Sequence, residues 1–434
     1  MVAGQLRVAS AQPLSFIRDT ELENTIRGYA TPIFVAAGLD PTAVRIYLVN
    51  DKQINAFVAG GQNLFINTGL LMQSEDAGQV VGVIAHEAGH IAGGHLVRVH
   101  DALARGTAES ILAMVLGAAA MVAGAPEVGA AVMSGGQNVA MRNFLQYSRT
   151  QEASADAAAT RFLDATQQSA KGLLDFFHML SGQELLVAAR QDPYLRTHPL
   201  TEDRIEALQT FVARSPYSDR PVSPEFQQQH QRMLAKLHAF LDDPSITRRR
   251  YPDSDTSIPA RYARAIVQHR TAQLDKAVAT IDGLIAEHPD DPYFQELKGQ
   301  ILFESGKPAR ALPPYQRSVE LLPDAPLLRL DLARVQMATD NKDLLPAAID
   351  NLRTSLRLEP KRPFVWRQLA VALGRNGQMG ESSLALAEEA MLLDKLSEAK
   401  FHAGRAIQDL PPGSAGRLQA EDIMQAAENA REDR

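Results

Sequence analysis

The spacing of apolar residues predicts a helix followed by a small β-sheet at the start of the chain. Residues 14–38 carry apolar side chains three or four positions apart, which is typical of a helix. Residues 44–49, 54–59 and 63–66 are short segments of strand character, and Gly60-Gly61 marks a turn between the last two. One edge of this sheet can bind an extended peptide through its main chain, or the sheet can be structural support only.

A helix with almost no polar surface is predicted next, at residues 80–88, after the capping residues Ser74, Glu75 and Asp76. It contains His86 and His90, with Glu87 directly after the first histidine. Positions four apart share one helix face, so both imidazoles can bind a single metal ion while Glu87 accepts a proton from a water beside it. A metal also supplies the partner that a buried histidine needs.

A second candidate segment, residues 147–156, predicts another helix that can approach the first closely. Its polar side chains Glu152 and Asp156 share a face. Its other positions carry small side chains that let another helix approach closely: Ala153, Ala155, Ala157, Ala158 and Ala159. Glu152 can complete a zinc site of two histidines and a glutamate, and Asp156 can accept the free N–H of a ligand histidine. The alternative is an exposed acidic helix.

Two histidines follow the motif helix without the spacing of a further ligand. A metzincin would need its third histidine at position 96, which is Leu96. We therefore expect His95 and His100 to lie around the site or at the surface.

Residues 111–141 are unusually apolar, and Ile111 to Pro126 carries no charge. This run is short for a membrane span, which needs about 20 residues, and several glycines interrupt it. Two alternatives remain: a buried helical hairpin over the site, or a flexible apolar lid that contacts a membrane or a membrane-protein partner.

The second half of the chain predicts paired helices. Residues 216–258 contain several prolines and one helical stretch at 225–241, which predicts a linker and a docking helix. From about residue 260 an apolar pattern recurs, and Pro289 and Pro323 are 34 residues apart. This period indicates tetratricopeptide repeats, which stack into a surface that binds proteins. The alternative is a generic helical bundle, and residues 413–434 are expected to form a charged terminal helix or a frayed tail.

Composition narrows the chemistry. The net charge of −7 argues against general nucleic-acid binding. The chain has no cysteine, which excludes disulfides, a thiol nucleophile and cysteine-rich zinc sites, and leaves His and carboxylate ligands. Ala9-Ser10-Ala11 before Gln12 is similar to the end of a signal peptide, so we expect an exported protein whose signal has been removed. An ordinary disordered N-terminus is the alternative.

These motifs together resemble the gluzincin peptidases of the HtpX type. The resemblance lies in His-Glu-Ala-Gly-His at 86–90 and Tyr-Ser-Arg-Thr-Gln-Glu-Ala-Ser-Ala-Asp at 147–156, and extends to residues 54–63, 69–70 and 197–204. With helical repeats in place of transmembrane segments, the chain is most similar to the BepA-like branch, whose members are periplasmic proteases that act on outer-membrane protein assembly.

The resemblance implies roles for particular residues. His86, His90 and Glu152 would bind one Zn²⁺ per chain, with Glu87 as the general base. Asp156 would orient a ligand histidine.

The resemblance also implies that the enzyme is latent. His198 would occupy the fourth zinc position and exclude water until its loop moves, although a capping or substrate-side histidine is the alternative. Arg204 would stabilise the oxyanion or anchor this loop.

The sequence therefore predicts an α+β fold in three parts. Residues 1–215 form a mainly helical, zincin-type metalloprotease domain with a small β-sheet, 216–258 a linker and docking helix, and 259–434 an all-α tetratricopeptide-like domain with a terminal helix.

The predicted function is that of a zinc-dependent endopeptidase of the cell envelope, in protein quality control or outer-membrane protein assembly. It would cleave protein or peptide substrates and bind protein partners through the repeats, without nucleic acid. One alternative is a non-catalytic tetratricopeptide adaptor or chaperone with a regulatory metal site. Another is a membrane-bound protease that has lost its spans.

Overall fold

The computed structural model of the chain describes residues 15–95, 149–181, 194–195 and 198–432. It divides the chain into two units, Met1–Leu237 and His238–Arg434. The division into protease domain, linker and repeat domain, with the boundaries given above, stays a prediction. The apolar segment at 111–141 lies outside the described residues, as do His100, Tyr147 and Pro193.

Unit 1 combines a four-stranded sheet with helices. In chain order its elements are β1 Phe16–Ile17, α1 Thr20–Ala36, β2 Arg45–Val49, β3 Ala56–Ala59, β4 Asn63–Asn67, α2 Thr68–Gln73, α3 Ala77–Ala92, α4 over residues 149–165, α5 Lys171–Ser181, α6 Glu202–Val212 and α7 Pro224–Leu241, which continues into unit 2.

The sheet has the strand order β1-β2-β4-β3, so β1 and β3 are its edges. The central strands β2 and β4 are parallel, with Arg45 opposite Asn63 and Val49 opposite Asn67. The edge strand β1 is antiparallel to β2, and β3 is antiparallel to β4. The edge strand β3 also packs against α3, which carries the histidine motif.

The first predicted helix begins later than expected. Phe16 and Ile17 pair with Val49 and Leu48 as a strand, so their assignment to a helix is wrong. Asp19 caps the helix instead, since its side chain accepts a hydrogen bond from the backbone N–H of Leu22 at 2.9 Å.

The cap of α3 also differs from the expected one. The side chain of Asp76 accepts from the backbone N–H of Gln79 at 3.0 Å, whereas Ser74 closes the preceding helix by donating to the carbonyl of Leu71 at 2.6 Å. Asp76 therefore places a negative charge at the positive end of the α3 dipole.

Glycines allow the motif helix to lie close to its neighbours. A Cβ atom on Gly82 would lie 2.7 Å from the Cβ of Leu173 on α5, and one on Gly172 would lie 2.3 Å from the backbone of Gly78. Such distances leave no room for a methyl group. The close packing fixes α3 against α5.

Unit 2 consists of helices that pack in consecutive pairs. They are α8 Pro244–Arg250, α9 Ile258–Arg270, α10 Leu274–Glu287, α11 Pro292–Glu304, α12 Pro308–Leu321, α13 Pro326–Ala338, α14 Leu345–Leu358, α15 Pro363–Arg375, α16 Met379–Leu392, α17 Leu396–Asp409 and α18 Ala415–Glu432. The short helix α8 carries Arg248–Arg250 in its last turn.

The repeat period is visible in the backbone. Each of the helices α9, α11, α13 and α15 is followed, two residues after its end, by a residue with positive φ: Ala272, Gly306, Asp340 and Gly377. The first three of these are 34 residues apart, and the last step is longer because a 3₁₀ helix, Lys342–Leu344, is inserted. This repeated turn confirms an array of tetratricopeptide-like helix pairs.

Two further features of the helices concern the C-terminal segment and membrane spans. Residues 415–432 form a helix whose Ala420, Ile423 and Ala427 are buried, so this segment packs as part of the array. Among the described residues, none of the helices has the length and apolar content needed to cross a bilayer.

Candidate metal centre

Helix α3 holds three candidate residues in the interior of unit 1. His86 and Glu87 are fully buried, and His90 is almost fully buried. One turn of helix separates the two imidazoles, and their Nε2 atoms lie 3.0 Å apart. The helix thus presents two nitrogens at the same point from one rigid support.

Helix α4 brings a carboxylate to the same point. The Oε2 atom of Glu152 lies 3.3 Å from Nε2 of His86, and its Oε1 lies 3.4 Å from Nε2 of His90. This approach depends on Gly89, because a Cβ there would lie 2.8 Å from the carbonyl oxygen of Ala155 on α4. The alternative of an exposed acidic helix does not fit, since Glu152 is 3% exposed.

His198 adds a fourth group from the segment before α6. Its Nδ1 lies 3.3 Å from Nε2 of His86 and 3.2 Å from Oε2 of Glu152. One ligand atom from each of His86, His90, Glu152 and His198 lies within 4.8 Å of the others. The four side chains that the sequence proposes as ligands therefore converge, although the last two are far from the motif in sequence.

The arrangement fits a metal ion on two grounds. Asp156 accepts a hydrogen bond from Nδ1 of His86 at 2.8 Å, so the neutral imidazole presents a lone pair at Nε2 toward the other nitrogen. Two nitrogens that face each other at 3.0 Å need a positive centre between their lone pairs, which a metal ion or a shared proton supplies. The measured separations of 3.0 to 3.4 Å also match the edge of a tetrahedral zinc site, which is about 3.3 Å for bonds of about 2.0 Å.

A proton competes with the metal at His86. Burial lowers the pKa of this imidazole, but its hydrogen bonds to Asp156 and Glu152 outweigh burial and raise that pKa to about 9. Burial and the positive charges of His86 and His198 hold the pKa of His90 far below its ordinary value, so His90 stays neutral as a ligand must. Metal affinity is therefore expected to fall as the pH drops.

The carboxylate of Glu152 is held in its ionised form. Burial alone would raise its pKa, but His198 and His86 outweigh burial and lower that pKa well below its usual range. A carboxylate that remains charged inside the protein balances the charge of a bound cation.

Asp156 and Arg204 form a buried pair behind the ligands. The guanidinium of Arg204 donates from Nε to Oδ2 of Asp156 at 2.6 Å and from Nη2 to Oδ1 at 2.9 Å. Its Nη1 donates to the carbonyl of Pro199 at 2.7 Å, and the group lies 4.9 Å from the ring centre of Phe177. These contacts favour the anchoring alternative for Arg204 over oxyanion stabilisation, because they already engage the guanidinium.

Glu87 differs from the other acids of the site. Neither of its carboxylate oxygens accepts a hydrogen bond from the described residues, and Nε2 of His198 lies 3.4 Å from its Oε1. Burial raises the pKa of Glu87. A buried carboxylate without a donor is costly in free energy, which is typical of a group that acts on a reacting molecule.

The structure places His95, expected around the site or at the surface, against a candidate ligand, and it adds Tyr194, which the sequence did not single out. Nδ1 of His95 lies 3.0 Å from Nδ1 of His90, so this histidine contacts a ligand from behind. The Tyr194 ring is 1% exposed and lies 4.7 Å from the His198 ring, and its carbonyl accepts the backbone N–H of His198 at 2.7 Å. The signals available were a histidine five residues after the motif and an aromatic residue one helical turn before His198.

Comparison with known proteins agrees with this geometry. Residues 17–212 match the model of Peptidase family M48. These residues form an M48 peptidase domain. All four converging side chains lie inside the M48 domain, and the predicted resemblance to a metallopeptidase family is confirmed.

Relatives extend beyond the M48 domain. The chain is 26% identical over 363 residues to the beta-barrel assembly-enhancing protease of Yersinia pestis, a match that covers 82% of this chain and 73% of that protein. It is 23% identical over 329 residues to the protein of the same name in Escherichia coli strain K12, covering 74% of this chain and 66% of that protein. The matches thus leave between about a quarter and a third of the length of these relatives uncovered.

Solved structures resemble part of the chain only slightly. A MamA structure is 21% identical with a TM-score of 0.33, and the likeness covers 39% of this chain and 97% of that one. YrrB, described as a TPR protein with an unusual peptide-binding site, is 17% identical with a TM-score of 0.33, over 41% of this chain and 91% of that one.

Proposed function

We propose that the chain is a zinc-dependent endopeptidase. The observation that carries the proposal is the convergence of His86, His90 and Glu152 around one point, with the unpartnered carboxylate of Glu87 beside it. Two imidazoles and a carboxylate are the ligand set of a catalytic zinc site in which one position remains for water or substrate.

The chemistry then divides between the ion and the side chains. Zn²⁺, when bound, polarises the scissile carbonyl and acidifies water. Glu87 accepts the proton of the attacking water and delivers it to the leaving amine, a task helped by the raised pKa of its buried carboxyl group. Asp156 holds His86 in the tautomer whose Nε2 faces the site.

We propose that the site is latent in this conformation because His198 fills the fourth position. The segment around His198 is fixed by several contacts: Arg204 donates to the carbonyl of Pro199, and the backbone N–H of Tyr194 donates to the carbonyl of Ile54, just before the edge strand β3. Arg204 acts as a positioning residue in this proposal. Movement of the segment would open the fourth position and the approach along β3 together.

The proposed setting is the bacterial cell envelope. The two named relatives are beta-barrel assembly-enhancing proteases, which supports a periplasmic role in outer-membrane protein assembly or quality control for this chain. The paired helices of unit 2 would bind protein partners or substrates. The proposed domain boundaries remain 1–215, 216–258 and 259–434, and contact of residues 111–141 with a membrane complex remains part of the proposal.

A second candidate function is that of an adaptor with a regulatory metal site. It is favoured by the position of His198, which closes the metal site with a fourth protein ligand. In this alternative the repeats carry the function and no peptide is cleaved.

The substitution Glu87→Gln separates the two functions. It preserves shape and leaves the ligands intact, so zinc content measured by atomic emission should remain one per chain. Cleavage of a fluorogenic unfolded protein should fall by at least about a hundredfold, the lower end of the range for a lost acid–base group. Glu75→Gln, at an exposed position just before α3, is the matched control and should cleave as wild type. Equal cleavage by the Glu87 variant would refute the endopeptidase mechanism.

A further inference from the structure

An exposed row of arginine and phenylalanine side chains crosses the helix pairs of unit 2. Arg334 on α13 lies between two rings, with its guanidinium carbon 5.5 Å from the centre of Phe303 and 5.9 Å from the centre of Phe364 on α15. Helices α13 and α15 also pack against each other directly, although a whole helix separates them in sequence. The row therefore links the first helices of successive pairs.

The same row continues from α15 to α17. Arg367 lies one turn after Phe364 and binds Glu389 of α16 through Nε at 2.6 Å, and α16 packs against α17. Arg405 lies on α17, one turn after Phe401. The ring of His402 lies 5.2 Å from that of Phe401. We name this surface the Arg-Phe face and define it by Arg334, Phe364, Arg367, Phe401 and Arg405.

Large apolar groups are exposed on the Arg-Phe face. Phe401 is 61% exposed and Phe364 is 51% exposed. Val371, two turns after Phe364, is 44% exposed. Apolar side chains exposed this far beside charged groups are typical of a surface that binds another molecule.

The positive charge of the face is only partly balanced by the carboxylates that the structure describes. Arg405 is exposed and forms no ion pair with any residue that the structure describes. Arg334 binds Asp331 through one Nη atom, and Arg367 binds Glu389 through Nε, while their side chains remain 40% and 48% exposed. Each guanidinium therefore keeps N–H groups for a further acceptor.

Nearby carboxylates are already paired. Glu304 accepts a hydrogen bond from His269 at 2.7 Å, and Glu398 pairs with Lys395 at 3.2 Å. Summed over the first helices of the pairs, Lys and Arg outnumber Asp and Glu, and summed over the second helices α10, α12, α14 and α16 the reverse holds. Among the helices that bear the Arg-Phe face, α13 and α15 carry an excess of positive charge, whereas on α17 the basic and acidic residues are equal in number.

We propose that the Arg-Phe face binds an acidic polypeptide segment that also carries aromatic side chains. Guanidinium groups bind carboxylates with two parallel hydrogen bonds, and exposed rings bury aromatic side chains of the ligand. The inference deepens the proposed binding role of unit 2 by stating the chemistry of the partner. It does not depend on proteolysis.

Fluorescence anisotropy of labelled peptides tests this inference on the full chain. The Glu87→Gln protein is used so that no peptide is cut. The probes are a dodecapeptide of alternating Asp and Phe, a Lys-Phe peptide and an Asp-Ala peptide of the same length. We expect the Asp-Phe peptide to bind at least about tenfold more tightly than either of the others, and its affinity to fall with added salt.

Variants locate the binding surface. Arg405→Glu and Phe401→Ala should each weaken binding of the Asp-Phe peptide by about tenfold. Arg353→Glu on the second helix α14, whose side chain is 51% exposed, is the matched control and should bind as the parent protein. Far-ultraviolet circular dichroism checks that each variant is folded, and both arginines are exposed, so folding should be retained.

Several results would overturn the proposal. They are equal binding of the Lys-Phe or Asp-Ala peptide, no binding of the Asp-Phe peptide, and unchanged binding in the Arg405 variant. Tight binding of a labelled oligothymidine would identify a nucleic-acid surface instead. A dimer in sedimentation velocity that Arg405→Glu dissociates would identify a second copy of the chain as the occupant. Failed peptide binding would leave the cleavage test of Glu87 unaffected, so the two proposals fail separately.

Discussion

At the scale of single residues, the sequence predicts which side chains share one helix face, but not which side chains from separate helices become partners. The positions of His86, Glu87 and His90 follow from helix periodicity alone. The partner of Arg204 does not, because its ion pair with Asp156 joins residues on separate helices. The choice between loop anchor and oxyanion donor therefore needed the structure.

The first prediction at this scale concerns His198, the proposed fourth ligand that keeps the site latent. His198→Ala should retain zinc, since His86, His90 and Glu152 remain. It should raise basal cleavage of a fluorogenic unfolded protein by about tenfold or more, as expected when a closed state that is favoured by about 1.4 kcal/mol is lost. His178→Ala, at an exposed position on α5, should behave as wild type. Unchanged or lower cleavage with full zinc content would count against latency.

The second residue-scale prediction concerns His230, which is completely buried on α7. Burial lowers its pKa, and the opposing effects of the Ser74 carbonyl and Asp76 do not reverse this. Between this lowered pKa and the unfolded value of about 6.5, only the unfolded chain holds the proton. Folding stability should therefore fall as the pH drops below about 6.5, by about 1.4 kcal/mol for each unit of pKa lowering.

Urea unfolding followed by circular dichroism at pH 7.5 and pH 5.5 measures this effect. His230→Gln should show a smaller loss of stability between the two pH values than wild type, although it is less stable at pH 7.5 because buried packing is altered. His178→Gln should keep the wild-type loss. A wild-type loss in the His230 variant would show that other groups cause the pH dependence.

At the scale of elements, close helix contacts decide whether the ligands meet. The sequence predicted α3 and the slim alanine face of the second ligand helix, but not that Gly89 would lie against Ala155, because nothing local connects the two positions. It also assigned Phe16 and Ile17 to a helix, since apolar spacing cannot show that their backbone pairs with β2. Pairing between distant segments was thus the part of the fold that the sequence left open.

The prediction at this scale is that Gly89→Ala separates the ligand helices. A Cβ at this position meets backbone atoms of Ala155 at 2.8 and 3.0 Å, so α3 and α4 must move apart. We expect a loss of about 1–3 kcal/mol in unfolding free energy and reduced zinc content. This loss would exceed the gain of up to about 1 kcal/mol that alanine brings to a helix interior.

Gly28→Ala is the matched control on α1. A Cβ there has no other atom within 4 Å, so the gain in helix propensity should stabilise the protein and leave zinc unchanged. Equal stability and zinc content in the two variants would show that contact at Gly89 does not position Glu152. Both properties are measured by urea unfolding and atomic emission.

At the scale of the whole molecule, the repeat period was predictable because each helix pair has the same helix–turn–helix structure, which recurs at a fixed spacing in the sequence. The turns at Ala272, Gly306 and Asp340 recur at a constant interval, and the sequence showed the same interval in its prolines. The inserted turn before α14 lengthens the next step without ending the array. The charge of the Arg-Phe face was not predictable, because it depends on which helices share a surface.

The whole-molecule prediction uses the one tryptophan of the chain, Trp366, which lies on α15 in unit 2. All candidate zinc ligands lie in unit 1. A metal chelator should lower the thermal midpoint seen by circular dichroism by several degrees and leave the midpoint seen by Trp366 fluorescence unchanged. The bound metal contributes about 4 kcal/mol when it is present at a thousand times its dissociation constant.

The variants of the metal site complete this experiment. Glu87→Gln should respond to chelator as wild type does, whereas His86→Ala should not respond. Equal shifts in both signals would show that metal binding stabilises the two units together. No shift in either signal would show that the site holds no stabilising ion.

The hydrogen bonds of Arg204 join two equilibria that are otherwise separate. One guanidinium holds both the carboxylate behind His86 and the backbone next to His198. In the proposed mechanism, ion affinity and segment closure would then influence each other by the same factor, as thermodynamic reciprocity requires. A partner that draws the segment away would weaken retention of the ion to the same degree, so prolonged activation would carry a tendency toward demetallation that ends it.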